Sequence, residues 1–187
     1  MRSNAVLRHA AGMVNYRRNR VPGGTYFFTV TLADRSAATL VDYIEDLRAA
    51  IRGVRAKHPF TLCAMVVLPD HLHAVIRLPD GDDRYSMRWR MIKVDFTVRL
   101  RKQGVVFDER SNGERKLWAR RFWEHTIRDP QSLARRIDYL HFNPVKHGYV
   151  TRVADWPYSS FHSFVSRGLL SADWGGNVEQ ETGSNGE

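Results

Sequence analysis

Cysteine is almost missing from this sequence. Cys63 is the only one, so the chain can form neither an intramolecular disulfide nor a cysteine zinc cluster, and this usage fits a reducing compartment. No hydrophobic run approaches the roughly 20 residues that a membrane helix needs, and no signal-peptide pattern opens the chain. A cytoplasmic protein is expected. Acidic side chains are in short supply as well. Twenty Asp and Glu face 29 Lys and Arg, a net charge of +9. A basic balance suits a polyanionic partner, because each cation placed on a phosphate releases condensed counterions. A merely solvated basic surface is the alternative that charge alone leaves open.

What is present is an ordinary globular composition. In 187 residues, 43% are hydrophobic and 26% charged, which supports one well-filled core and is short for two. One domain is expected over 13–175, with an N-terminal extension 1–12 and a tail 176–187 that are both flexible; Met13 is a candidate start.

Pro22-Gly23-Gly24 breaks the chain before an aromatic and β-branched run over 25–32, which reads as a buried strand. Ile44, Leu47, Ile51 and Val54 recur at helical spacing within 41–56. Strands over 61–68 and 71–78 follow, joined at Pro69-Asp70 so closely that they must form an antiparallel hairpin. A basic helix over 86–102 is predicted with Ser86 as N-cap, then a polar loop over 104–115 and a strand over 122–127. A third helix opens at Asp129-Pro130 and is ended or kinked at Asn143-Pro144. Its predicted core stripe is Leu133, Ile137 and Leu140. The order β-α-β-β-α-β plus an extra helix is the α+β split-βαβ pattern, ferredoxin-like or RRM-like. It implies a central antiparallel sheet with helices on one face and a further C-terminal helix.

Chemistry concentrates in two places. On the second hairpin strand, His71 and His73 share one face while Leu72, Ala74, Ile76 and Leu78 supply the other, apolar one. Two imidazoles side by side can chelate one metal ion; two surface histidines on a half-exposed strand are the plainer alternative. On the third helix, Tyr139 lies about 200° round the axis from Ile137 and is predicted to face away from the core stripe. Asn143 is one turn on, and Arg135 and Arg136 are one turn back as general phosphate binders. An exposed aromatic at Tyr139 and a capping role for Asn143 before Pro144 are the corresponding plain readings. Near the N-terminus Tyr16, Arg17 and Arg18 combine stacking with phosphate contact, as strand-binding grooves do. A solvated arm is the alternative there.

Several motifs occur in one order: Pro69-Asp70-His71-Leu72-His73, Arg121-Phe122-Trp123-Glu124-His125, Asp138-Tyr139-Leu140-His141-Phe142-Asn143-Pro144-Val145-Lys146-His147-Gly148 and Asp155-Trp156-Pro157-Tyr158-Ser159-Ser160-Phe161-His162. Together they resemble the REP-associated tyrosine transposases, single-tyrosine members of the HUH nuclease superfamily. Asn15-Tyr16-Arg17-Arg18 and the segment from Gly23 to Val30 resemble that family's opening. The resemblance implies that His71 and His73 are the paired metal ligands, Tyr139 the nucleophile and Asn143 the third ligand. Glu124 and His125 are weaker sources for that third ligand. It also implies Mg²⁺ or Mn²⁺ as cofactor, a single-stranded DNA hairpin as partner, Asn15 among the DNA-binding residues and a nucleoid-associated protein, with a monomer favoured. Two other function classes compete: a non-catalytic single-stranded nucleic-acid-binding module of the RRM-like class, and a metal-dependent hydrolase that uses water in place of Tyr139.

Overall fold

The run after Gly24 is the central strand of the computed structural model, which describes residues 18–107 and 117–176. β1 (Thr25–Thr31) lies between β3 (His71–Arg77) and β4 (Trp123–Ile127), and β2 (Thr61–Val67) closes the other side of β3. The order is β2-β3-β1-β4, with every neighbouring pair antiparallel. The hairpin predicted at Pro69-Asp70 is present, and its register slips by one residue at Cys63.

Alternation along β1 and β3 feeds two different cores. Tyr26, Phe28, Val30, Leu72, Ala74 and Ile76 pack under α2 (Ile44–Lys57) and α3 (Tyr85–Lys102), which contribute Leu47, Ile51, Val54, Trp89, Ile92 and Phe96. Phe27, Ala64, Val66 and Val75 line the reverse face, where α4 (Pro130–Lys146) lays Leu140 against them. The sheet is therefore covered on both sides. That is why β3 is buried at every residue from His71 to Ile76, and why the half-exposed strand weighed from sequence does not occur.

Three local expectations change. The helix predicted over 41–56 breaks at Tyr43 into a short α1 (Thr39–Asp42) and α2. Ser86 is not a cap: α3 already starts at Tyr85 and has no side-chain cap. Asn143-Pro144 does not end α4, which runs on to Lys146. A proline there removes only one donor, and the stop comes from Gly148, whose φ of 73° is left-handed. The Gly148 amide donates to the Val145 carbonyl and the Tyr149 amide to the Pro144 carbonyl, both at 2.9 Å. This is a Schellman closure.

At the other end of α4 the sequence reading holds. Asp129 is the N-cap, its Oδ1 accepting from the Ser132 amide at 2.7 Å, with Pro130 in the first turn. Asp129→Ala is expected to cost about 1 kcal/mol and to lower Tm by roughly 3 °C in calorimetry. No change would mean that packing alone holds the helix.

After α4 the chain crosses to the outer edge of β2. Trp156 Nε1 donates to the Val67 carbonyl, Val67 N to the Tyr158 carbonyl and Ser160 N to the Met65 carbonyl, at 2.7–2.9 Å. α5 (Phe161–Ser166) follows. The expectations for 1–12 and for the tail beyond 176 lie outside the described residues, as does most of the loop predicted over 104–115. Among the described residues no helix is long and apolar enough to cross a membrane.

Candidate active site

The face under α4 gathers the residues singled out from sequence. His71 and His73 project from β3 with ring centroids 5.0 Å apart and nearly perpendicular planes, each only 1% exposed. Each ring is oriented from behind. His71 Nδ1 lies 2.8 Å from Asp70 Oδ1, and the other Asp70 oxygen accepts from Arg35 Nε. His73 Nδ1 lies 2.9 Å from Thr29 Oγ1 on the neighbouring strand. Holding a ring through Nδ1 in this way is how partners of metal-binding histidines fix its orientation and tautomer. Burial pushes the His71 imidazole below its ordinary range, against the opposing pull of Asp70. This shift favours the neutral form, the one that a metal ligand needs. Burial alone would raise the Asp70 carboxyl, but His71 and Arg35 hold it below the usual carboxylate range.

α4 meets this pair along its length. The Tyr139 ring packs edge-on to His73 at 5.6 Å and to Phe27 at 6.0 Å. Two turns later the His147 ring stands 5.3 Å from His71. Asn143 is halfway between these two contacts and fully buried. Tyr139 therefore faces the sheet and not away from it. Leu133, Ile137 and Leu140 do pack on the core of this face, as the apolar pattern suggested, but Tyr139 packs there beside them, and Asn143 is buried one turn further on.

The donor set suits a divalent cation. His71 Nε2 and both amide atoms of Asn143 are buried without a hydrogen-bond partner. Buried orphans of this kind are rare, and each needs a reason; a cation shared by facing elements supplies one for His71 Nε2 and Asn143 Oδ1. Among the described residues no three His, Cys, Asp or Glu side chains form a metal cluster. Glu124 is on the opposite face of the sheet, where Tyr85 Oη donates to it at 3.2 Å, and so is not available. His125 is on the site face but two strands from His73, stacked on Trp123.

The remaining predicted residues separate. Arg136 lies over Phe27 and Trp123, its Cζ 5.5 and 5.8 Å from the ring centroids, whereas Arg135 is exposed. Asn15, Tyr16 and Arg17 lie outside the described residues. Arg18 is docked with its guanidinium 4.5 Å over the Phe122 ring and Nε 3.9 Å from Glu124 Oε1, on the face away from the histidines. Sequence reasoning missed Lys146, whose Nζ sits 3.4 Å from Tyr139 Oη and 5.0 Å from the ring centroid. Its spacing of seven residues from Tyr139, two helical turns, was the available signal. Arg35 gave no signal at all.

No family model matches the chain. Individual relatives do. A protein of Haemophilus influenzae assigned by name to the REP-associated tyrosine transposases is 47% identical over 169 residues, covering 89% of this chain and 96% of the relative. The REP-associated tyrosine transposase of Escherichia coli K12 is 45% identical over 166 residues, covering 89% and 93%. Among solved structures, a REP-associated tyrosine transposase bound to a REP hairpin superposes with a TM-score of 0.82 at 44% identity, covering 94% of this chain and 98% of that one.

Proposed function

The chain belongs to the REP-associated tyrosine transposase family and is a transposase of that class, and from that premise we propose that it nicks and rejoins single-stranded DNA beside a hairpin through Tyr139. His71, His73 and Asn143 would hold one divalent cation, Mg²⁺ or Mn²⁺. When bound, that ion polarises the scissile phosphate and offsets charge that builds up on it. A nitrogen-rich donor set favours Mn²⁺ over Mg²⁺.

The observation that carries this reading is the packing of the Tyr139 ring on His73, 5.6 Å away, beneath a helix that also buries Asn143. Tyr139 Oη attacks the phosphorus, the Oη–P bond forms, the P–O3′ bond breaks, and the phenol's proton is lost as the departing O3′ gains one. The 5′ phosphate stays on Tyr139. A second 3′ hydroxyl can reverse the step on the other strand, because the phosphotyrosine conserves the energy of the broken bond; hydrolysis by water would dissipate it. Phe27 and His73 hold the phenol ring, so little orientational freedom is left to lose during attack. Lys146 is the cation beside the reacting oxygen and stabilises negative charge there or on the phosphate. Nucleophile and cation donors all come from one chain, so a monomer suffices.

The test is to incubate the protein with an end-labelled single-stranded hairpin and Mn²⁺ or Mg²⁺, then denature. A metal-dependent, denaturation-resistant adduct at a tyrosine is expected. Cleavage with free ends on both products would establish hydrolysis instead. Lys146→Met is expected to slow adduct formation about tenfold with hairpin affinity nearly unchanged, and Lys146→Arg to retain most of the rate. An equal loss in both variants would show that the ammonium is not what matters.

A further inference from the structure

β4 is the last strand of the sheet on the side away from β2. On its site face, Trp123 and His125 stand as a parallel pair, ring centroids 5.9 Å apart and planes 11° from coplanar. Both are only half-buried.

Their register relates them to the nucleophile. Thr29 is opposite Trp123 on one side and His73 on the other, so Trp123, Thr29 and His73 form one row across three strands. Two strand spacings of about 4.8 Å put Trp123 roughly 10 Å from the histidine. Phe27 bridges the gap, touching Tyr139 at 6.0 Å, His73 at 5.3 Å and Trp123 at 5.9 Å. That span is one to two nucleotides of extended chain. The surroundings are cationic. Arg136 lies over Trp123, and Arg121 and Arg128, at the two ends of β4, are exposed.

We propose that Trp123 and His125 form a stacking subsite for unpaired bases next to the scissile phosphate, with Arg121, Arg128 and Arg136 neutralising the backbone of that strand. A duplex presents its bases to one another and cannot use such a platform, whereas an unpaired flank can. Stacking on aromatic side chains beside a basic track is how single strands are held without reading each base. Double-stranded hairpin stem and single-stranded flank would then be bound by different parts of the molecule. The inference rests on the nicking reading for its choice of flank.

The experiment measures affinity of the full chain carrying Tyr139→Phe, without metal, for two oligonucleotides: a hairpin with a short single-stranded flank and the same hairpin cut flush. Trp123→Ala should weaken flanked binding about tenfold and leave flush binding unchanged. Trp123→Phe should restore most of the loss, and His125→Ala should show a smaller loss with the same selectivity. In the chain with Trp123 and His125 intact, 5-iodouracil in the flank should crosslink under ultraviolet light to the peptide that carries these two residues. A wild-type ratio of flanked to flush affinity in both alanine variants, or crosslinks confined to other peptides, would overturn the proposal. If Trp123→Ala does not fold, as judged by its thermal melt, His125→Ala and the crosslink decide. Absence of an adduct in the metal-dependent assay would instead refute the nicking reading, and this binding ratio is read independently of it.

Discussion

Tyr139→Phe is expected to reduce cleavage and covalent adduct by about 10⁴-fold or more, the scale of loss when a nucleophile is removed from an otherwise intact site. Phenylalanine keeps the ring that packs on Phe27 and His73 and loses only the phenol oxygen. Stability should therefore move by no more than about 0.5 kcal/mol, and hairpin affinity should stay within about twofold of the parent chain. A gel-based cleavage assay beside a binding titration checks both halves. Substantial residual cleavage would remove Tyr139 from the mechanism and return the water-using hydrolase as the better account. The non-catalytic binding module weighed from sequence has lost its ground: transposase relatives match nearly the whole chain, and a binding module gives no reason to bury two imidazoles and an amide beside a phenol.

The largest expected effect on folding lies far from the chemistry, at Arg88. Its side chain is 2% exposed yet charged, and every donor group is used. Nη1 and Nη2 clasp the two Asp82 oxygens at 3.2 and 2.9 Å, Nη2 also reaches the Pro59 carbonyl at 2.8 Å, and Nε the His58 carbonyl at 3.2 Å. One guanidinium thus ties the start of α3 to the loop after β3 and to the turn between α2 and β2. Arg88→Met is expected to cost about 3 kcal/mol, because it leaves two carbonyls without their donor and takes from the Asp82 carboxylate its main partner, leaving it only Arg84. That is a large fraction of the roughly 5–15 kcal/mol that holds a typical domain together.

Acid dependence gives this prediction a second check. The Asp82 carboxyl is held far below the usual carboxylate range, chiefly by its hydrogen bonds to Arg88. A folded-state value below the unfolded one means that the stabilisation is fully present above about pH 4 and is lost as pH falls further. Urea unfolding should show the deficit of Arg88→Met shrinking on acidification below that point. A deficit that stays constant with pH would assign the loss to packing.

How far the sequence could be read depended on whether burial follows apolarity. Where it does, the reading held: the strand after Gly24, the hairpin at Pro69-Asp70, and the start of α4 at Asp129-Pro130 all stand where local pattern put them. On α4 the apolar stripe packs on the core as expected, and it is Tyr139 that was misplaced. Leu133, Ile137 and Leu140 form the visible stripe, so Tyr139 was assigned to the outside. Yet the sheet surface that α4 covers presents two histidines, and the helix answers it with Arg136, Tyr139, Asn143 and His147. A polar stripe that is buried looks, in sequence, the same as one that faces water.

Taken alone, the amino-acid order determined the element sequence, the one-faced placement of His71 and His73, and the helical spacing of Tyr139 and Asn143, because each follows from the two-residue period of a strand or the 3.6-residue period of a helix. Only the tertiary structure decided that α4 crosses the histidine face, that Arg35 backs Asp70, and that Trp123 shares a row with His73. Those relations join elements far apart along the chain, and their distances depend on how two covered sheet faces are packed, which no local period encodes.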